Sequence, residues 1–209
     1  MRTSNFISSY PHNPQIVLAS ASPERRALLT EAGITFTTRV PRVKEKVIKD
    51  RHPDMPTADI AMLLAMAKAQ EVAAYHPSAF VIGCDQTMHL DGVVFNKPET
   101  LDDVRAVVTA LSGRESVLYT AAVIMQGKRL VWARTDTNRL TMRALSADEI
   151  DTYVREKGLD AIGCLGGVKV EENLDLFDQI KGDIASIRGL PMKHLIHFLN
   201  KSNKPATEE

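Results

Sequence analysis

Apolar residues along this chain fall into short strand-length runs separated by amphipathic stretches. The first run, Ile16–Ala19, ends in small hydroxyl residues and feeds a segment that opens with Pro and two arginines, so Ile16–Leu29 (IVLASASPERRALL) reads as strand, turn and helix. Ser22 suits an N-cap, Pro23 the first helical position and Gly33 the residue past the helix end. Thr35–Val40 predicts a second strand from its β-branched and aromatic content. Arg42–Met55 mixes both signs of charge without a period and predicts a long loop, either functional or a solvated excursion. Thr57 then caps a helix that runs to about Tyr75 and closes at His76-Pro77. Its apolar stripe is Ile60, Leu63, Leu64, Ala67 and Val72. Lys68 lies on that stripe, with its ammonium reaching either a cavity or, by snorkelling, water.

Ala79–Gly83 is almost wholly apolar, as expected of a strand covered on both faces, and it leads into Cys84, Asp85, Gln86 and Thr87. A carboxylate at the end of a buried strand is costly unless it is paired, bound to metal or open to a cleft. Asp91-Gly92 signals a hairpin that returns the chain through Val93–Phe95, bringing Lys97 near the level of Asp85. Thr100–Leu111 is a helix with acids in its first turn, followed by two long strands, Glu115–Met125 and Lys128–Arg143, joined at Gln126-Gly127. Ser146 and Glu149 form a capping box for a helix to about Lys157. Asp160–Asn173 is glycine-rich and irregular. Leu174–Ile180 and Ile184–Ile187, about Gly182-Asp183, suggest a further hairpin, and a last helix follows Gly189-Leu190-Pro191 to about Asn200. The order predicts an α/β fold: a mixed twisted sheet flanked by helices, in two lobes with a cleft between them. Residues 1–14 read as a loose extension, 15–200 as one domain and 201–209 as a flexible tail.

With 209 residues and 44% apolar content, the chain has enough material for an ordinary buried core. Lys+Arg and Asp+Glu are equal at 26 each, which leaves no net field to hold a nucleic acid or an anionic membrane. Charge must therefore act locally. Two cysteines, Cys84 and Cys164, outside any CxxC spacing, suit a reducing compartment and exclude a disulfide framework or zinc cage. No run has signal-peptide or membrane-span character, so a cytoplasmic protein is expected.

The opening stretch points backbone N–H groups and the positive end of a helix dipole at one place, which makes it an anion site. Arg25 and Arg26 add forked donors to the same turn. Ser20, Arg25, Lys68, Asp85 and Lys97 are thus the candidate residues. Cations with one carboxylate, and no Ser/His/Asp or Cys/His set, favour phosphate chemistry over acyl transfer. Asp85 could bind Mg²⁺, activate water, or both. The chain has neither GxxxxGK[ST] nor GxGxxG, which excludes a P-loop.

Four ordered motifs, LASASPERRALL, VIGCDQTMHLDGVVFNKP, LSADEIDTYV and IKGD…RGLP, resemble the Maf family of nucleotide pyrophosphatases over roughly Gln15 to Leu199. The resemblance implies a fold like that of inosine triphosphate pyrophosphatases. It also implies hydrolysis of a nucleoside triphosphate to monophosphate and pyrophosphate with a divalent cation, Mg²⁺ or Mn²⁺. By motif, Asp85 corresponds to the proton acceptor and a metal ligand, Glu45 to a metal ligand, and Ser20, Arg25, Lys68 and Lys97 to phosphate-binding residues. The implied role is removal of unwanted nucleotides. Some members are linked to septum formation; the alternative, motivated by Glu24 and the altered late loop, is a catalytically weak nucleotide-binding regulator. A homodimer is a further implication.

Within the family, the residue after the catalytic Asp separates subgroups. Here it is Gln86, and the late segment VKVEEN offers Glu171 as the acid that would face the base, a pattern nearer the members acting on 7-methyl-GTP. An acid there can accept from a guanine N1–H and amino group. Two features depart from the family pattern. Glu24 stands where a basic or bulky residue is usual, and the 164–173 loop is longer and lacks an aromatic near Leu165.

Overall fold

The computed structural model describes residues 14–202. In chain order the strands are β1 (Ile16–Ala19), β2 (Thr37–Thr38), β3 (Phe80–Leu90), β4 (Val93–Phe95), β5 (Glu115–Gln126), β6 (Arg129–Met142) and β7 (Phe177–Lys181). The helices are α1 (Pro23–Glu31), α2 (Glu45–Asp50), α3 (Thr57–Ala73), α4 (Leu101–Leu111), α5 (Ala147–Ala161), α6 (Ile184–Arg188) and α7 (Met192–Ser202). The strands form one mixed sheet in the order β2-β1-β3-β5-β6-β7, with β4 also paired to β3. β1 runs parallel to β2 and β3, and the β3-β5-β6-β7 ladder is antiparallel.

Strand periodicity sorts β3 between two faces. On one face Val81 packs with Val17, Ala19, Val123 and the small residues of α3, Ala61, Ala65, Ala69 and Ala73. On the other, Ile82 and Cys84 join Leu28, Leu29, Leu195 and Leu199 of α1 and α7, while Met88 and Leu90 join Val104, Val108, Ile150 and Val154 of α4 and α5. Gly83 belongs to the α3 face and allows close approach: a Cβ there would stand on the Ala65 carbonyl oxygen and 2.6 Å from Ala69 Cβ.

Between the two apolar clusters of the second face lies a polar seam. Thr120 Oγ1 donates to the Ser186 carbonyl at 2.8 Å, and Asn138 Nδ2 donates to Ser186 Oγ at 3.1 Å. Asn138 Oδ1 accepts from the Asp183 amide at 3.1 Å. Gln86 Nε2 donates to the Ile187 carbonyl at 2.9 Å. These bonds satisfy backbone groups at the ends of the one-turn helix α6 and bolt it to the sheet.

Several expectations are corrected. The 42–55 segment is not all loop: Glu45–Asp50 is helical. Pro56, not Thr57, holds the N-cap position of α3, and no side chain caps it. β3 continues past Gly83 to Leu90, so Asp85 sits inside a strand, because β5 pairs with it from Val81 to His89. β2 is only two residues long. The hairpin expected over 174–187 is instead a strand and a helix, because Asp183 accepts from the Ser186 amide and starts α6. The Asp91-Gly92 hairpin forms with φ 48° and 83°, the left-handed pair that a two-residue turn requires. The capping box expected at Ser146 is present, and the structure adds another at Thr100. α7 extends to Ser202, and the segments 1–13 and 203–209 lie outside the described residues.

Gly83→Ala should lower unfolding stability by about 2 kcal/mol in urea titrations, since neither backbone nor Ala69 can give way easily. An unchanged midpoint would show that α3 is not seated tightly on β3.

Candidate active site

β3 has unequal edges. β5 covers one edge from Val81 to His89; on the other, β1 pairs with Phe80–Gly83 and β4 with Met88–Leu90. Residues 84–87 therefore lack a strand on that edge, among the described residues. The site is built around this gap. Ser20 follows the last residue of β1, and α1 brings Arg25. Phe95 lies opposite Met88, so Lys97, two residues further along the returning chain, comes back to the level of Gln86. An open segment inside a sheet, rather than a strand end, exposes the chemistry.

The turn after β1 is held by its own hydroxyls. Ser20 Oγ accepts from the Ser22 amide at 3.2 Å, and Ser22 Oγ accepts from the Arg25 amide at 3.4 Å as the α1 N-cap. The Arg25 side chain is buried across this turn. Its Nε donates to the Gly189 carbonyl at 3.1 Å, and its Nη1 to Ser20 Oγ at 3.3 Å and the Cys84 carbonyl at 3.2 Å. The guanidinium is thus held through Nε and Nη1, with Nη2 outside this set. Arg25 links α1, the open segment of β3 and the residue after α6.

On the α3 face, Lys68 does not snorkel. Its Nζ lies 2.8 Å from Asp85 Oδ1 and 2.7 Å from Glu45 Oε1. The Lys68 and Asp85 side chains are 9% and 11% exposed, so both charges depend on the pairing. Burial pushes the Lys68 ammonium down, but the Asp85 and Glu45 carboxylates outweigh it, and the group titrates above the ordinary lysine range. Burial pushes Glu45 up, yet its bond to Lys68 and the nearby lysines bring it below the ordinary carboxylate range. Lys97 shifts the other way: lost hydration first, then the Arg25 charge, holds its ammonium below the ordinary lysine range. Cys84, fully buried, has its thiol pushed up by burial.

Among the described residues no group of three or more His, Cys, Asp or Glu side chains is gathered for a metal. Glu45 and Asp85 do supply two carboxylates facing one ammonium. Hard oxygen donors of this kind suit Mg²⁺ or Mn²⁺, which take one or two carboxylates and complete their shell with water and phosphate oxygens. The residues therefore fit a partial metal site.

The remaining candidates lie on the opposite face, in a cleft that Arg25, Gln86 and Lys97 share with Leu118, Leu140 and Val168. Gln86 Nε2 is engaged by Thr120 Oγ1 and the Ser186 and Ile187 carbonyls. Glu171, on a 3₁₀ turn at Val170–Glu172, lines the same cleft. Its Oε1 lies 3.8 Å from Nε of Arg188, and Glu24 Oε2 lies 3.5 Å from Arg188 Nη2. Arg188 was not singled out by the sequence reading, although it sits in the quoted RGLP motif; nothing local shows that it meets Glu24. The pairing gives Glu24, one of the two departures from the family pattern, a counter-charge.

The Maf-like protein family model matches residues 15–202. The chain belongs to the Maf family. A 7-methyl-GTP pyrophosphatase of Rhizobium meliloti (strain 1021) is 38% identical over 191 residues, 90% of this chain and 96% of that protein. A nucleoside triphosphate pyrophosphatase of Rhodospirillum rubrum is 36% identical over 189 residues, 89% of this chain and 94% of that protein. A solved structure of a HAM1 protein from Coxiella burnetii aligns at TM-score 0.45 and 15% identity, covering 90% of this chain and 99% of that one. In this Maf chain no described helix is long and apolar enough to cross a membrane.

Lys68→Met should destabilise the protein by about 3 kcal/mol at neutral pH, because it leaves Asp85 buried without its counter-charge. Chemical denaturation checks this; a loss within the range of an exposed pair, below about 1 kcal/mol, would mean that the pair is solvated.

Proposed function

We propose that this chain hydrolyses a nucleoside triphosphate between the α- and β-phosphates, giving a monophosphate and pyrophosphate. The observation that carries the reading is the convergence on residues 84–87 of β3 of Arg25, Lys97 and the Lys68-bridged carboxylates of Asp85 and Glu45. The names of the Maf relatives support the same reaction class.

In this reading the phosphates occupy the gap in the β3 edge. Arg25, held by Ser20 and two carbonyls, and Lys97 bind phosphate oxygens and stabilise the charge that develops on them. Asp85 accepts a proton from water, whose oxygen attacks the α-phosphorus as the bond to the bridging oxygen breaks and pyrophosphate leaves. Lys68, 2.8 Å from Asp85 Oδ1, holds that carboxylate in place for the transfer. Glu45 and Asp85 would hold a divalent cation, which when bound neutralises charge on the phosphates. On the base side, Glu171 accepts from a guanine edge and favours a purine made cationic by methylation, while Gln86 shapes the floor through its hold on α6. The active unit is the domain over residues 15–200, acting on the cytoplasmic nucleotide pool.

Incubating the purified protein with a panel of nucleoside triphosphates, 7-methyl-GTP included, and Mg²⁺ or Mn²⁺ should release pyrophosphate and monophosphate as first products. Orthophosphate as first product would overturn the reading. Asp85→Asn should lower kcat by about 100-fold or more, with substrate still bound. Unchanged turnover would remove Asp85 as proton acceptor.

The depressed Lys97 ammonium gives a pH prediction with a definite sign. Because the group sheds its proton below the ordinary lysine value of 10.5, kcat/KM should fall on the alkaline side before that pH. Lys97→Arg, whose charge persists above about pH 12, should move this limb upward even if the plateau drops. A limb that stays in place belongs to another group.

A further inference from the structure

Arg188 is the centre of an acidic cluster that the phosphate reading does not use. Its Nη1 and Nη2 form a two-pronged pair with Glu31 Oε2 and Oε1 at 2.9 and 2.8 Å. Glu24 Oε2 is 3.5 Å from the same Nη2, and Glu171 Oε1 is 3.8 Å from Nε. That Nε is buried and has no hydrogen-bond partner. One cation thus faces three carboxylates drawn from both ends of α1 and from the late loop. The Arg188 side chain is only 18% exposed, so the guanidinium end of the cluster is held in place, while the Glu24 carboxylate, 39% exposed, also reaches solvent.

The position of Glu24 makes this arrangement consequential. Glu24 adjoins Arg25 in sequence and lines the same cleft as Arg25 and Lys97. A carboxylate there has two electrostatic alternatives: Arg188, or the cations that would receive a polyphosphate. We propose that Arg188 is a positioning residue that draws the Glu24 carboxylate off the phosphate path, so that Arg25 and Lys97 stay available to the polyphosphate of the substrate. The inference rests on the phosphate-binding reading above. Without Arg188, Glu24 becomes an internal competitor for those cations and also repels the incoming anion. Glu31 serves a different end: its paired bonds clamp the end of α1 to α6.

Two carboxylates with different duties around one guanidinium make the idea testable. The probe is inorganic tripolyphosphate, which has no base and needs no turnover, with binding measured by calorimetry at low salt. Arg188→Met should weaken binding by about tenfold, and the same substitution combined with Glu24→Gln should recover it to within about twofold. With nucleotide, Arg188→Met should raise KM and leave kcat nearly unchanged. Glu31→Gln, which loosens only the clamp, should lower the thermal midpoint without changing tripolyphosphate affinity. Glu24→Gln in the parent, where the carboxylate is already withdrawn, should change affinity by less than about twofold.

Unchanged affinity in Arg188→Met, or weakening that the added Glu24→Gln does not repair, overturns the proposal. Equal weakening by Glu31→Gln would assign the effect to the clamp and overturns it too. If Arg188→Met does not fold, Glu24→Gln in the parent decides, and marked tightening shows that Glu24 already faces the phosphates. A parent that binds tripolyphosphate with no dependence on Arg188 removes this role alone; a parent that binds none removes the phosphate site and this role together.

Discussion

The close approach of α3 to β3 at Gly83 is the constraint on which the site depends. Ala65 and Ala69 lie directly over Gly83, so the helix axis sits nearer the sheet than any side chain at that position would allow. One turn of that helix carries Lys68, and two residues along that strand stands Asp85. With both backbones fixed, the 2.8 Å pairing of ammonium and carboxylate follows from the packing. A larger residue at 83 would open this distance and leave two desolvated charges apart, which is costlier than the lost dispersion contacts. Packing of small residues therefore sets the electrostatics.

A second constraint comes from the way β3 is shared. A strand paired along both edges would offer no free backbone edge to a ligand; here β1 and β4 divide one edge and leave residues 84–87 between them. The Cys84 carbonyl in that gap is taken by Arg25, so the backbone there keeps a partner while the guanidinium is fixed. The same segment points Asp85 to the α3 face and Gln86 to the other. The two faces acquire different chemistry: ion pairs with Glu45 and Lys68 on one, and on the other a cleft of mixed polar and apolar lining that Gln86 shares with Arg25, Lys97, Leu118 and Leu140. The Gln86–Thr120–Asn138 seam sets α6, and with it Gly189, which holds Arg25, and Arg188, which holds Glu24.

Local signals made much of this legible in the sequence. Ser22-Pro23 marked the start of α1 because a hydroxyl cap and a proline both act within one turn, and Asp91-Gly92 marked the hairpin because only residues tolerant of positive φ fit it. That hairpin is also why Lys97 could be placed near Asp85 without coordinates. Signals that depend on distant partners were not legible. Nothing in RVKEKVIKD shows that Glu45 begins a helix, since a one- or two-turn helix has little intrinsic stability and is settled by tertiary contacts such as Lys68. The continuation of β3 beyond Gly83 depends on pairing with β5, and the fate of 184–188 depends on Asp183 and Asn138. Arg188 was invisible for the same reason: its acids lie more than 150 residues away in α1, or in an irregular loop.

Before any ligand arrives, most charges of the site already have partners. Lys68 is divided between two carboxylates, Arg25 is bound to a hydroxyl and two carbonyls, and Glu24 lies against Arg188. Lys97 differs: among the described residues it has no ion pair, and lost hydration together with the Arg25 charge destabilises its ammonium. A polyanion entering the gap would offset both penalties with opposite charge, whereas at Lys68 it must compete with carboxylates already in place. Lys97 and the Nη2 of Arg25, which lies outside the bonds to Ser20, Cys84 and Gly189, are thus the groups with most to gain from an anion, whereas Lys68 is already committed to Asp85 and Glu45. Burial acts on both lysines, but only Lys68 has carboxylates in contact, which is why its ammonium shifts up and that of Lys97 shifts down.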